Sequence, residues 1–248
     1  YVKYLYKKLQ RDGQLERDVD RLVRNDRIAW GSSMIACNDA DAMVTGNIRH
    51  YAASIEKLKK VVDSRPGEEI FGMTMMVSKG KTILVADTNV RDFPSAERLT
   101  KVSISCVRVA RLFGFDPKVA FLSHSTFGKP VSKNTKHVRD AIEILKTKKV
   151  DFDFDGEMQP DVALNPIYQE IYPFSKIVGN ANILIMPALH SAAISTKLMK
   201  SFGGAKLIGP LLIGLGLPIE VAPLRSSTSD ILNLASIAAY SADVIDYS

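Results

Sequence analysis

From about residue 40 onward, short apolar runs alternate with longer segments in which apolar positions recur every three or four residues. That alternation predicts βαβ units and an α/β fold with a mostly parallel sheet. The short runs predict strands at 42–45, 73–77, 82–86, 119–123, 150–154, 183–187, 205–208 and 219–222. Helices are expected between them at 95–113, 133–148, 189–202 and 227–243. In the first of these helices Leu99, Val102, Cys106, Val109 and Phe113 share one face and Gly114 ends the run; Gly203 stops the third. Lys79-Gly80-Lys81 sits between two strand-like runs, so 73–86 is expected to be an antiparallel hairpin in the sheet. Residues 1–29 carry Leu5, Leu9, Val19, Leu22 and Val23 at helical spacing. A chain that opens at Tyr1 inside such a pattern is expected to be a piece of something longer.

Composition narrows the class without naming a function. The 248 residues are 46% hydrophobic and 24% charged, ordinary for a globular protein of one large or two average domains. The longest uncharged apolar stretches, 208–219 and 231–242, fall short of the roughly 20 residues a membrane helix requires, so no span is expected. Cys37 and Cys106 lie among apolar neighbours and argue no disulfide framework, which favours a reducing cytoplasm. Half of the net charge of +6 falls in 1–29, where eight Lys/Arg interleave with five Asp/Glu. That mixture is unlike a phosphate-tracking stripe, so no nucleic acid is expected, and a modest positive balance suits an anionic small ligand. Breaks at Asp92-Phe93-Pro94 and Gly209-Pro210 predict two lobes, 1–93 with 211–248 and 94–210, with a cleft as the default ligand site.

The motifs that carry chemistry are few. Asp151-Phe152-Asp153-Phe154-Asp155-Gly156-Glu157 imitates the start of a calcium loop, but the position that needs a bidentate Glu holds Val162. A strand that delivers Asp155-Gly156-Glu157 to an edge is the better reading. No Walker sequence is present, Gly214-Leu215-Gly216 lacks the rest of a dinucleotide fingerprint, and the four histidines are scattered away from zinc-ligand spacing. Two polar loops suit anions through hydroxyls and backbone amides: Ser125, Thr126 and Gly128 after one strand, and Ser226, Ser227 and Asp230 at the last helix start. Ser227 with Asp230 three residues on also reads as a capping box.

Taken together, Val119–Gly128, Asp155-Gly156-Glu157-Met158-Gln159 with Ala163-Leu164, Ala181–Pro187, Ile208-Gly209-Pro210 and the closing Asp230-Ile231 resemble the phosphate acetyl/butyryltransferase family. The stretch 1–43, Phe71-Gly72-Met73-Thr74 before Val85-Ala86-Asp87-Thr88, and Ile171–Lys176 resemble more narrowly the transferase-like C-terminal domain of bacterial NADP-dependent malic enzymes. The resemblance implies two three-layer α/β/α lobes in the isocitrate/isopropylmalate dehydrogenase-like fold. It also implies a binding site for acetyl-CoA or CoA, with Tyr1 entering partway through the first lobe.

Where active members of the family hold an Arg and a Ser-Arg pair, this sequence has Glu56, Pro223 and Leu224, while the acid survives as Asp230. His190-Ser191-Ala192-Ala193 replaces a polar run, and Arg225 stands one residue past the expected Arg. Glu for Arg reverses charge where phosphate would sit, and Pro-Leu offers neither hydroxyl nor cation. The resemblance therefore implies a regulatory and oligomerisation domain without catalytic residues of its own. Such a domain would bind acetyl-CoA through Ser125, Thr126, Gly128, Ser226, Ser227 and Asp230. NADP, Mg or Mn and the malate-decarboxylating chemistry would belong to N-terminal malic enzyme domains of a longer bacterial chain, the whole a cytoplasmic homo-oligomer. The alternatives are a working phosphate acyltransferase and a purely structural assembly module.

Overall fold

In the computed structural model, residues 1–87, 93–245 and 247 are described. Thr88 of the family-like phrase and Asp92 of the first break lie outside them. In chain order the elements are α1 (Val2–Leu9), α2 (Glu16–Asn25), α3 (Arg27–Ala36), β1 (Met43–Gly46), α4 (Tyr51–Val61), β2 (Phe71–Ser78), β3 (Lys81–Asp87), α5 (Ala96–Leu112) and β4 (Lys118–Leu122). There follow α6 (Lys136–Lys148), β5 (Asp153–Met158), α7 (Pro160–Leu164), β6 (Ile183–Ile185), α8 (Leu189–Ser201), β7 (Lys206–Ile213), β8 (Ile219–Ala222) and α9 (Thr228–Val244). No helix among the described residues is long and apolar enough to cross a membrane.

The chain forms two compact units, Tyr1–Ile70 with Gly209–Ser248, and Phe71–Ile208. In the first, β1 and β8 pair in parallel from Met43↔Ile219 to Gly46↔Ala222, and Leu5, Val19, Leu58, Val61 and Val221 form the buried centre. The opening segment is three helices. Gly13 at φ +80 turns the chain after α1, and Asp26 caps α3 by accepting the amides of Ile28 and Ala29 at 2.9 and 3.4 Å. Asp26 also takes ion pairs from Lys57 and, at 3.4 Å, Arg49, which ties α3 to the middle of α4 and to the segment just before it.

The second unit is built on the six-stranded sheet β5-β4-β6-β3-β2-β7, in which β5, β4, β6 and β3 pair in parallel and β2–β3 is antiparallel. This is the α/β fold with a mostly parallel sheet and one antiparallel pair that the periodicity predicts. Its core gathers Val85, Ala120, Leu122, Met158, Leu184 and Ala192. The units divide at 70/71 and 208/209, whereas the turn signals suggest 93/94 and 210/211. The difference is the hairpin, which goes with the second unit because Leu84, Val85 and Ala86 pair with Ile183, Leu184 and Ile185.

Two strands differ from expectation. β5 begins three residues later than the apolar run and continues through Gly156 to Met158, because Lys149 turns left-handed at φ +48 and pairing with β4 starts only at Lys118↔Asp153. β7 does not stop at Gly209-Pro210 but runs on to Ile213. It lies at the end of the sheet order, where a proline without an N–H is tolerated.

Candidate functional site

The loop after β4 folds around one carboxylate. Glu157, 1% exposed, accepts hydrogen bonds at Oε1 from Ser125 Oγ (3.0 Å), the Gly128 amide (3.0 Å) and Arg139 Nη1 of α6 (3.2 Å). Its own carbonyl accepts the Phe127 amide at 2.7 Å. Arg139 is held by Thr135 Oγ1 and the Ser132 carbonyl at 2.6 and 3.1 Å. Thr126 closes a tight turn with Lys129 through reciprocal backbone bonds of 2.8 and 3.0 Å, and its Oγ1 accepts the Gln159 amide at 3.2 Å. A buried ionised group has to find such partners or lose its charge.

The strand path makes this centre possible. Gly156 sits at φ +145, and a Cβ there would stand 2.6 Å from the Phe121 carbonyl, so only glycine lets β5 press against β4 at this point. Glu157 is thereby turned inward, not delivered to an open edge. Sequence reasoning assigns no role to Arg139, because its partner is brought to it only by the course of β5.

The second polar group belongs to the other unit. Ser227 caps α9: its Oγ accepts the Asp230 amide at 3.1 Å, and Asp230 Oδ2 accepts the Ser227 amide at 3.0 Å and its hydroxyl at 2.8 Å, which completes the expected capping box. Just before it, the Pro223 carbonyl accepts both the amide (3.2 Å) and the hydroxyl (2.8 Å) of Ser226. Arg225, at φ +59, is exposed and donates its amide to the Asn47 carbonyl at 3.2 Å. Leu224 is 47% exposed, Pro223 half-buried, and Glu56 exposed on α4. His190-Ser191-Ala192-Ala193 opens α8, with the His190 ring 5.6 Å from that of Phe93.

Of the six residues expected to hold a ligand, Ser125, Thr126 and Gly128 are thus brought together within one unit and Ser226, Ser227 and Asp230 within the other. Ser125 is fully buried and Thr126 nearly so, with their hydrogen-bonding capacity used inside the fold. Gly128, Ser226 and Ser227 are partly or fully exposed, but their donors too are engaged within the fold, with Glu157, the Pro223 carbonyl and Asp230. Among the described residues no three His, Cys, Asp or Glu side chains are grouped as metal ligands.

An α/β chain with a mostly parallel sheet, polar turns at strand ends and a capped closing helix defines a fold class and not yet an activity. The phosphate acetyl/butaryl transferase family model matches residues 1–239, and the chain belongs to that family. It is 46% identical over 242 residues to an NADP-dependent malic enzyme of Rhizobium meliloti, covering 98% of this chain but 32% of that protein. It is also 28% identical over 232 residues to the phosphate acetyltransferase of Bacillus subtilis, covering 93% of this chain and 72% of that enzyme. The crystal structure of a phosphotransacetylase from Streptococcus pyogenes superposes with a TM-score of 0.89 at 30% identity, over 97% of this chain and 75% of that one. The chain therefore spans about a third of the malic enzyme it matches.

Proposed function

We propose that this chain is the regulatory and oligomerisation domain of a bacterial, cytoplasmic NADP-dependent malic enzyme, that it binds acetyl-CoA, and that it has lost acyl transfer. The observation that carries the reading is 46% identity across 98% of the chain to a malic enzyme three times its length. In the parent protein, N-terminal domains would bind malate, NADP and Mg or Mn and carry out oxidative decarboxylation. The chemistry of the remaining donors supports binding without turnover. Acyl transfer between phosphate and a thiol needs a cation for phosphate and a donor for the developing oxyanion. Glu56, Pro223 and Leu224 provide neither, and Asp230 is engaged at the start of α9. Gly128, Ser226 and Ser227 are partly or fully exposed at a strand end and a helix start, the kind of position that receives anionic phosphates, and CoA would take them by exchanging the hydrogen bonds that they now donate to Glu157, Pro223 and Asp230.

Melting with and without acetyl-CoA tests binding: at 100 times the dissociation constant a ligand stabilises by about 2.7 kcal/mol. Ser227→Asp keeps a cap-competent residue and adds negative charge, so it is expected to reduce that shift. Assay of CoA-dependent transfer from acetyl phosphate tests the rival reading, a working phosphate acyltransferase. Turnover on the order of 10 per second would establish the rival, and an unchanged melting temperature at millimolar acetyl-CoA would leave a structural module.

A further inference from the structure

The loop that carries Ser125 and Gly128 leads, through one aromatic ring, to an apolar face of the second unit. Phe127 holds a left-handed backbone, φ +47, which a bulky side chain adopts only under constraint. Glu157 supplies the constraint: its carbonyl accepts the Phe127 amide at 2.7 Å and its carboxylate the Gly128 amide at 3.0 Å. Thus set, the Phe127 ring packs against Tyr172 and Phe174 with centroids 5.3 and 4.8 Å away, and those two rings meet each other at 6.0 Å. Phe127 and Tyr172 are half-buried, but Phe174 is 64% exposed. In the same stretch Ile167, Ile171 and Val178 are 68, 61 and 70% exposed. The amides of Ile171 and Tyr172 both donate to the Tyr168 carbonyl at 3.1 Å, a helical turn that puts Ile167 and Ile171 on one side. Beneath the stretch, the free space between Met158, Tyr168, Tyr172 and Ile177 is about 10 Å³. A small-molecule site takes roughly 300 Å³ or more, so this is a face for another protein surface and not a ligand pocket. Single exposed apolar side chains are ordinary, but four of them around an aromatic cluster form a patch of the kind that interfaces cover.

We propose, on the reading of the chain as part of a malic enzyme, that this face docks on the N-terminal catalytic part of the parent protein and that Phe127 carries the state of the ligand loop to it. Chain length selects the occupant. This chain spans 72% of the Bacillus subtilis phosphate acetyltransferase but 32% of the Rhizobium meliloti malic enzyme. The malic enzyme therefore has two thirds of its length left to supply a docked partner, and the free-standing enzyme little. Ile171–Lys176 is also one of the stretches by which the sequence resembles the malic enzymes more narrowly than the transferases at large. A surface peculiar to the fused proteins fits a partner present only in them. Acetyl-CoA that takes the Gly128 amide from Glu157 loosens one of the two bonds that set Phe127, and the ring on which Tyr172 and Phe174 rest shifts. A ligand that favours one arrangement of the face favours one docked state, which is what coupling between two sites requires.

Hydroxyl-radical footprinting of the 248-residue chain and of the parent protein, at equal molar concentration, reads these side chains directly. Ile171 and Phe174 are expected to be oxidised readily in the short chain and at least about fivefold more slowly in the parent. In the parent, Phe174→Asp is expected to keep the melting shift given by acetyl-CoA while the change that acetyl-CoA makes in the rate of malate oxidation is lost. Should Phe174→Asp fail to fold, Ile171→Asp on the exposed turn is expected to have the same effect. Equal oxidation of Ile171 and Phe174 in the two proteins overturns the proposal, as does undiminished control by acetyl-CoA in the folded variant. Protection that already appears in the short chain as its concentration is raised also overturns it, because that assigns the face to a second copy. A parent that does not oxidise malate fails the functional reading whatever the footprint; a malate-oxidising parent with an unprotected face fails the docking alone.

Discussion

Two inward-facing carboxyl groups of the first unit are driven in opposite directions, Asp26 by its partners and the more deeply set Glu220 by burial. Burial pushes Asp26 up, but the hydrogen bond from Lys57, the amides of Ile28 and Ala29 and the Lys57 charge together hold it below the ordinary aspartate value. Glu220, on β8, accepts the Leu212 amide at 2.8 Å, and burial pushes its pKa up to about 8 against the pull of that amide. An unfolded glutamate ionises near pH 4.3, so from there to about pH 8 the folded protein keeps a proton that the unfolded chain has lost. The contribution is therefore greatest at low pH and declines as pH rises to about 8. Glu220→Gln retains an acceptor for Leu212 and removes the titration. Denaturant melts across pH 5–9 should show a flatter stability profile for the variant and a gain at pH 8 of up to about 4 kcal/mol. In the other unit, Arg139→Met should cost about 2–3 kcal/mol, because it leaves Glu157 without its cation; the one-third exposure of Arg139 places the cost below that of a fully buried pair. Urea titration at neutral pH measures it, and Arg139→Lys should recover part of the loss.

At the scale of elements, what depends on neighbours in sequence is legible and what depends on distant pairing is not. The hairpin forms where Lys79-Gly80-Lys81 places it, with Ser78↔Lys81 as its last pair, and the Ser227–Asp230 capping box is a contact of three residues' reach. Helix α5 starts at its Ser95 cap and is followed by Gly114 at φ +79, as the pattern predicts. α4, which carries Glu56, is marked by the family resemblance and not by periodicity, because only Ile55, Leu58 and Val61 form its buried apolar face among four charged residues. The course of β5 is not legible because Gly156 reads as a turn signal, whereas its conformation serves a close approach to Phe121. The candidate site residues divide in the same way: Ser226 and Ser227 bond to Pro223 and Asp230 three residues away, whereas the partner of Ser125 and Gly128 is Glu157, brought in from another strand. On α8, Ile194, Leu198 and Phe202 recur at intervals of four and are 66, 61 and 91% exposed, while Ala192 and Thr196 face inward. Such a stripe suits self-association. Ile194→Asp with Leu198→Asp should lower the mass measured by light scattering at micromolar concentration without lowering the melting temperature of the fold, and a wild-type monomer would refute an assembly role for this helix.

For the molecule as a whole, the class of fold follows from periodicity alone, but the way the chain is shared between its units does not, because it is set by which strands β3 meets. That sharing has a consequence in time. The second unit is one continuous stretch, Phe71–Ile208, while the first is interrupted: β1 has to wait for β8, its partner, until the entire second unit has been synthesised. A chain emerging from the ribosome completes contiguous units first. Limited proteolysis of stalled nascent chains should therefore find 71–208 resistant while 1–70 is still cut, with protection of 1–70 arriving only after α9 has emerged. Between these two units, order of synthesis and order of completion are reversed, so 1–70 waits longer for its partner strand than 71–208 does and is the more exposed to misassembly and to quality control.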